Sequence, residues 1–430
     1  MTTTTIDAGD GDVEDLDSFR QRARAWLAAN MPPAPAGPPV GAGRDLSDED
    51  ELDDVDHTRK LQRLLHDGGL AGICFPREYG GQGLTPAHQQ VLNEEIVGYD
   101  HPARMQLPTF TPCAAVIFEF GNEEQRRAHI PAILKGEEIW MQFLSEPGGG
   151  SDVAGAQTTA VRDGDEWVLN GSKIWTTGAW WSDWGLCLAR TNWDVPKHRG
   201  LTVFMLKIHQ PGIEVHRIEM LDGSKEFCQE FMTDVRIPDG DRIGEVDDGW
   251  TVGVRWMFHE RNLAGSPYVT RPAGQGPARS AADNSDTLLR LARDVGRLAD
   301  PRARDLVGEA HALRLVQGRL LSRVTRGIAT RAFTDQAASI IRLMSGVVGN
   351  RTTTIGFELA GPHAVAWPDD AAALGELGLG YLTRQAGSIG GGTTEMARNV
   401  ISERVLGMPR DRAADRDVAF RDIPRSSSTR

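Results

Sequence analysis

The chain has 430 residues, enough for two or three domains, and its 40% hydrophobic and 25% charged residues are ordinary for a soluble globular protein. A formal charge of −13 argues against a surface for nucleic acid or anionic membrane, so an anionic ligand needs a local basic patch. No run of about 18 apolar residues exists to span a membrane. The opening Met1-Thr2-Thr3-Thr4-Thr5-Ile6-Asp7 lacks the basic and apolar regions of a signal peptide. Cys74, Cys113, Cys187 and Cys228 are far apart and form no CxxC pair, which predicts reduced, mostly buried thiols in a cytoplasmic protein, with no metal site and no disulfide framework.

Residues 1–12 are small, polar and acidic and read as a flexible tail. From Asp17 to Asn30, Phe19, Ala23, Trp26 and Leu27 recur at helical spacing. A Pro/Gly/Ala linker, Met31 to Gly43, precedes helical patterns at Glu51–Asp67, His88–Val97, Cys113–Phe120 and Glu123–Leu134. Around Trp140 the texture changes to short strand-forming runs: Thr158–Arg162, Glu166–Leu169 after an Asp163-Gly164-Asp165 turn, Gly185–Arg190, Leu201–Ile208, Ile213–Ile218 and Phe227–Ile237. From Trp250 helical periodicity returns and persists to about Leu406, broken by a Gly/Pro/Ala/Ser-rich loop at Gly265–Asp286. The order helices, sheet, helices predicts an α+β chain: a helical domain over 13–138, an antiparallel β domain over 139–246, a helical bundle over 247–408, and a charged, serine-rich, mobile tail over 409–430.

Two segments carry chemistry. Gln142-Phe143-Leu144-Ser145-Glu146-Pro147-Gly148-Gly149-Gly150-Ser151-Asp152 joins a proline, three glycines and small polar residues, a loop that lets backbone N–H groups approach a ligand closely. Asn170-Gly171-Ser172-Lys173-Ile174-Trp175-Thr176-Thr177-Gly178 closes a strand with a tryptophan and two hydroxyls, a platform for a flat heteroaromatic ring. Six tryptophans lie between residues 167 and 193, and most read as core; Trp175 alone sits in a pattern that argues for ligand contact.

This ordered pair resembles the flavin-binding core of the acyl-CoA dehydrogenase family, and the resemblance extends over about residues 15–410. Pro76-Arg77-Glu78-Tyr79-Gly80-Gly81-Gln82-Gly83 resembles the family's P-x-E-Y-G-G-x-G segment, and Phe120-Gly121-Asn122-Glu123-Glu124-Gln125 through Leu134-Lys135-Gly136-Glu137 resembles its lead into the sheet domain. The run Gly390-Gly391-Gly392-Thr393-Thr394-Glu395-Met396-Ala397-Arg398-Asn399 resembles its closing motif. The resemblance implies FAD as cofactor. It implies FAD contacts from Phe143, Leu144, Ser145, Gly150, Ser151, Trp175, Thr176 and Thr177, with Thr393 and Glu395 near its pyrophosphate and ribose. Ser151 and Gly391 would also meet the acyl-CoA substrate.

The implied reaction is α,β-desaturation of an acyl thioester, which needs a carboxylate to take the α-proton. Most relatives carry it two residues before the closing motif's threonine, where this chain has Gly391. A subset carries it on the first helix of the last domain, and Trp256-Met257-Phe258-His259-Glu260-Arg261-Asn262-Leu263 resembles that helix. The spacing independently puts Glu260 among Gly253, Trp256, Met257, Leu263 and Ala264, all small or apolar, where a carboxylate is costly unless paired or functional. The alternative is a buried glutamate satisfied by a distant arginine. Arg261 points elsewhere on the helix, His259 is expected at a surface or interface, and Glu395 is the weaker candidate base.

Two segments depart from the family's pattern: Thr270-Arg271-Pro272-Ala273-Gly274-Gln275-Gly276 and Glu358-Leu359-Ala360-Gly361-Pro362-His363, whose counterparts hold the adenine half of FAD across a subunit interface. The leading reading is therefore an acyl-CoA dehydrogenase with Glu260 as base, passing electrons to an electron-transfer flavoprotein or similar acceptor. Its assembly is expected as a homodimer, homotetramer or heterotetramer with a sister subunit. The alternatives are a flavin-poor, inactive partner subunit, and a flavin oxidase or monooxygenase on the same fold.

Overall fold

The computed structural model describes residues 13–35, 47–262, 266–272, 285–366, 372–410 and 412–424. These fall into two compact units: one holds the described residues to Glu219, those from Ser224 to Pro272, and 412–424, and the other holds 220–223 and 285–410.

The first unit opens with α1 (Leu16–Asn30), whose Asp15 cap accepts from the Asp17 and Ser18 N–H groups. Phe19, Ala23 and Leu27 recur every fourth residue and are fully buried. The helix α2 (Asp48–Asp67) starts from a reciprocal Ser47–Asp50 capping box. Its buried Glu51 accepts from the Trp181 indole N–H (3.2 Å) and from Arg104 and Arg217. The helices α3 (Pro86–Glu95), α4 (Ala103–Pro108), α5 (Ala115–Phe120) and α6 (Glu123–Leu134) complete this part, with a wide helical turn, Thr109–Ala114, joining α4 to α5. The expected helices at 51–67 and 123–134 stand with nearly those bounds.

The eight strands are β1 (Trp140–Phe143), β2 (Thr159–Asp163), β3 (Glu166–Thr177), β4 (Trp184–Arg190), β5 (Leu201–Lys207), β6 (Ile213–Ile218), β7 (Phe227–Pro238) and β8 (Arg242–Ile243). They form one sheet in the order β6-β7-β3-β2-β4-β5-β8, with β1 parallel to β4. Gly164 at φ +65° supplies the left-handed turn between β2 and β3. The sheet is antiparallel as expected except at β1–β4 and a single β2–β4 bridge. The strand β3 is longer than the expected Glu166–Leu169 because register shifts after Leu169 and after Ile174 let it run on through the tryptophan segment.

The helix α7 (Gly249–Arg261) packs on α5, the Thr109–Ala114 turn and β5, so the first unit reaches past the expected domain boundary at residue 247. Leu263 and Ala264, and most of the loop at Gly265–Asp286, lie outside the described residues. The segment 412–424, expected within a mobile tail, lies against the sheet with Phe420 buried.

The second unit contains α8 (Ser285–Asp294), α9 (Pro301–Ala329), α10 (Ala338–Ala360), α11 (Ala372–Thr383) and α12 (Thr394–Val400). Leu288, Leu306, Ile355, Leu359 and Leu377 form its core. Arg351 grips Glu309 through two bonds of 2.6 Å and Glu358 at 3.1 Å.

Candidate functional site

Lys173 is the residue from which the site is built. It is a fully buried lysine in β3 that donates to the carbonyls of Leu144 (3.2 Å) and Leu188 (2.7 Å) and to Glu146 Oε1 (2.8 Å). A buried ammonium is tolerable only with such partners. Glu146 also accepts from the N–H groups of Gln157 (2.6 Å) and Thr158 (2.9 Å). Burial alone would push its carboxyl up, but the Lys173 charge and these bonds hold it below the usual range. Glu146 and Gly149 exchange backbone bonds across the turn, which closes the glycine-rich loop into a compact hairpin.

The same lysine fixes the loop against the end of β3, where the Ile174 N–H donates to the Ser145 carbonyl at 3.0 Å. The two sequence motifs are therefore stitched side by side. At the register shift after Ile174, Trp175 takes φ +68°, a region that bulky residues avoid. Its indole stays 51% exposed, touching Phe227 edge-on at 5.9 Å. The backbone here is strained and presents a large apolar ring to solvent rather than to the core. Ser145 is half-buried, while Gly150, Ser151 and Thr177 are exposed around it.

Phe143, Leu144 and Thr176 are buried, so a cofactor contact from them is a backbone contact. Thr176 donates its hydroxyl inward, to Glu230 Oε2 at 3.0 Å and towards the Gln142 carbonyl at 3.3 Å. Nothing in the local sequence marks Glu230. It is fully buried opposite Lys173 in the β3–β7 ladder, and its Oε1 has no hydrogen-bond partner among the described residues. Burial pushes its carboxyl up to about 8, against the pull of Thr176 and Lys173, so it is mainly protonated at neutral pH.

Glu260 is half-buried near the end of α7 in this same unit. Gly253 and Trp256 on its face are buried, and the Trp256 indole N–H donates to Gln142 Oε1 at 2.7 Å. Cys113 lies close to it: burial first, and then the Glu260 charge, push that thiol well up. Burial draws the Arg261 guanidinium down while Glu260 holds it up, and Arg261 Nη2 donates to Met257 Sδ at 3.6 Å.

His259 corrects an expectation. Expected at a surface or interface, it is buried within the unit, with Nε2 2.8 Å from Glu119 Oε1. Arg255 completes the cluster by two bonds to Glu119, at 2.9 and 2.8 Å. Burial would raise the Glu119 carboxyl, but His259 and Arg255 bring it down to about 2. This cluster joins α5 to α7 across a sequence separation that no local pattern spans.

Three expected contacts belong to the second unit. Thr393 caps α12 by accepting from the Met396 N–H at 3.0 Å, Gly391 sits at φ +71°, and Glu395 is exposed beside Thr394 and Arg398. Of the two divergent segments, Arg271 donates its N–H to Asn93 (2.9 Å), and residues 273–276 lie outside the described ones. Arg297 binds the Glu358 and Leu359 carbonyls at 2.8 and 3.1 Å. All four cysteines are buried and unpaired, and among the described residues no helix is long and apolar enough to cross a membrane.

Residues 14–137 match the family model of the acyl-CoA dehydrogenase N-terminal domain, and 142–235 that of the middle domain. The chain is 30% identical over 402 residues to the acyl-CoA dehydrogenase IpdE1 of Mycobacterium tuberculosis, covering 93% of this chain and 99% of that protein. Among solved structures, the Tcur3481–Tcur3483 steroid ACAD is similar with a TM-score of 0.70 at 25% identity, covering 93% of this chain and all of that one. The ChsE4–ChsE5 complex of Mycobacterium tuberculosis shares the fold, with a TM-score of 0.67 at 24% identity over 94% of this chain and 100% of that one.

Proposed function

The chain belongs to the acyl-CoA dehydrogenase family of oxidoreductases, and from that premise we propose an FAD-dependent α,β-dehydrogenase of acyl-CoA thioesters with Glu260 as its base. The residues of the first unit fit a flavin: a solvent-facing indole at Trp175, the hydroxyls of Ser145 and Thr177 beside it, and a glycine hairpin open to close approach. The chemistry that FAD supplies when bound is acceptance of the β-hydride. Within this unit Ser151 is proposed to meet the thioester as well.

The observation that carries the reading is the Trp256–Gln142 bond. Gln142 heads the segment that runs into Ser145, and its carbonyl accepts from Thr176 beside Trp175. This bond supports the reading because it ties the helix carrying Glu260 to the strand that leads into the glycine-rich loop, and removal of a proton beside a hydride acceptor needs the two held together. Glu260, half-buried next to Cys113 and Trp256, takes the α-proton of the substrate. The electrons are proposed to pass on to an electron-transfer flavoprotein or similar acceptor.

A steroid side-chain thioester heads the substrate panel, because one close structural match is a steroid ACAD. The test is the visible spectrum of the purified protein, mixed anaerobically with acyl-CoAs. A flavin band bleached by one thioester, and unbleached in Glu260→Gln, supports the reading. Bound flavin that no thioester reduces overturns it and points to a partner subunit.

A further inference from the structure

The stretch 412–424 covers a specific feature of the sheet. The Phe420 N–H donates to the Val195 carbonyl (2.9 Å) and the Arg421 N–H to the Trp193 carbonyl (3.0 Å), while Ala419 bridges Pro196. The Phe420 ring is 4% exposed, 5.2 Å from the Trp193 ring, and lies under the Arg190 guanidinium at 3.9 Å. A guanidinium on an aromatic face is held in position and shielded from water.

Arg190 is itself fully buried, lies 6.0 Å from the Trp193 ring, and also bonds to backbone. It donates to the carbonyls of Ala154 (2.6 Å), Ala156 (3.3 Å) and Lys197 (2.7 Å). Ala154 and Ala156 directly follow the glycine-rich loop and its Ser151. A second tie runs alongside: Lys197 Nζ lies 2.9 Å from Asp152 of the loop and 3.3 Å from Asp415 of the C-terminal stretch. The Asp152 side chain is 58% exposed, so most of the hold rests on Phe420 and Arg190.

We propose that residues 412–424 form a strap that keeps the glycine-rich loop in its ligand-binding shape, with Phe420 and Lys197 as positioning residues. That the loop's ligands are flavin and thioester rests on the function proposed above; the coupling of strap to loop does not.

The experiment is amide hydrogen exchange on the full chain, together with the rate of FAD release, for the wild type, Phe420→Ala, Lys197→Met and the conservative Phe420→Tyr. Expected is exchange about tenfold faster over residues 146–158 in Phe420→Ala, a smaller rise in Lys197→Met, and protection restored in Phe420→Tyr. FAD release speeds up in the same order. Unchanged exchange in the loop, or acceleration spread evenly over the whole sheet, overturns the strap. A wild type that never binds FAD defeats the functional reading instead, while the exchange result still decides the coupling.

Discussion

Trp256 on α7 and Gln142 on β1 share a 2.7 Å hydrogen bond that ties the helix bearing Glu260 to the strand leading into the glycine-rich loop. Trp256→Phe keeps an aromatic ring but removes the donor. It should cost about 2–3 kcal/mol of stability, because the Gln142 oxygen loses its donor and the smaller ring leaves a gap in the core. The rate of flavin reduction should fall about tenfold or more, because the proposed base, Glu260, is then misplaced. Denaturant midpoints and stopped-flow reduction separate the two effects; equal small losses in both would leave the bond with a structural role alone.

Lys173 and Glu146 form the buried pair on which both motifs hang. Lys173→Met leaves the Glu146 charge without its ammonium and frees the Leu144 and Leu188 carbonyls. Removing one partner of a buried pair costs about 3–5 kcal/mol. The variant should be isolated without flavin and with a much lower melting temperature. A variant of wild-type stability that still holds flavin would show that the loop is fixed by other means.

Much of the fold is legible in the sequence, and what is not has physical causes. The strand at Ile213–Ile218 was bounded correctly because its residue types and flanking turns agree. Strand β1 was not read as one: it has four residues, and its partner β4 lies more than 40 positions on. Local pattern marks Glu260 and Trp175 as candidates, and the structure leaves the first half-buried and the second exposed. The pattern does not mark His259, because the face of α7 away from Glu260 is buried as well, against Glu119 on α5. Glu230 went unnoticed since a single carboxylate in a strand looks like a solvent-facing residue until its ladder partners are known. Phe420 was hidden in a charged, serine-rich stretch whose composition outweighed one aromatic ring.

Glu230 makes a pH prediction. Its carboxyl stands at about 8 in the folded protein against an ordinary value of 4.5, so the folded state holds the proton that the unfolded state has released. That contribution to stability is fully present below pH 4.5 and is lost as pH rises through about 8, by about 1.4 kcal/mol per unit at most. Glu230→Gln, which cannot ionise, should flatten the stability curve over this window and exceed the wild type on its alkaline side. Parallel curves for the two proteins would mean that the carboxyl titrates normally.

Glu119 predicts the opposite sign. With its carboxyl brought down to about 2, its contribution is present above the ordinary value of 4.5 and is lost as pH falls towards 2. Glu119→Gln should lose about 1–3 kcal/mol at neutral pH, the worth of its charged hydrogen bonds, and show a shallower acid transition. Urea titrations between pH 3 and 7 provide the check.

Trp175 offers the sharpest separation of fold from function. Its φ of +68° strains the backbone, and its indole is half in solvent, so the protein without ligand gains little from it. Asparagine tolerates the left-handed region. Trp175→Asn should therefore leave the flavin-free protein as stable as the wild type, or up to about 1 kcal/mol more so. Its hold on FAD should weaken about tenfold or more, as expected on losing an aromatic contact with the ring system. Calorimetry of the flavin-free protein and fluorescence titration with FAD measure the two quantities. If the flavin-free variant instead loses about 3–5 kcal/mol, as a core tryptophan would, the indole is holding the sheet together rather than waiting for a ligand.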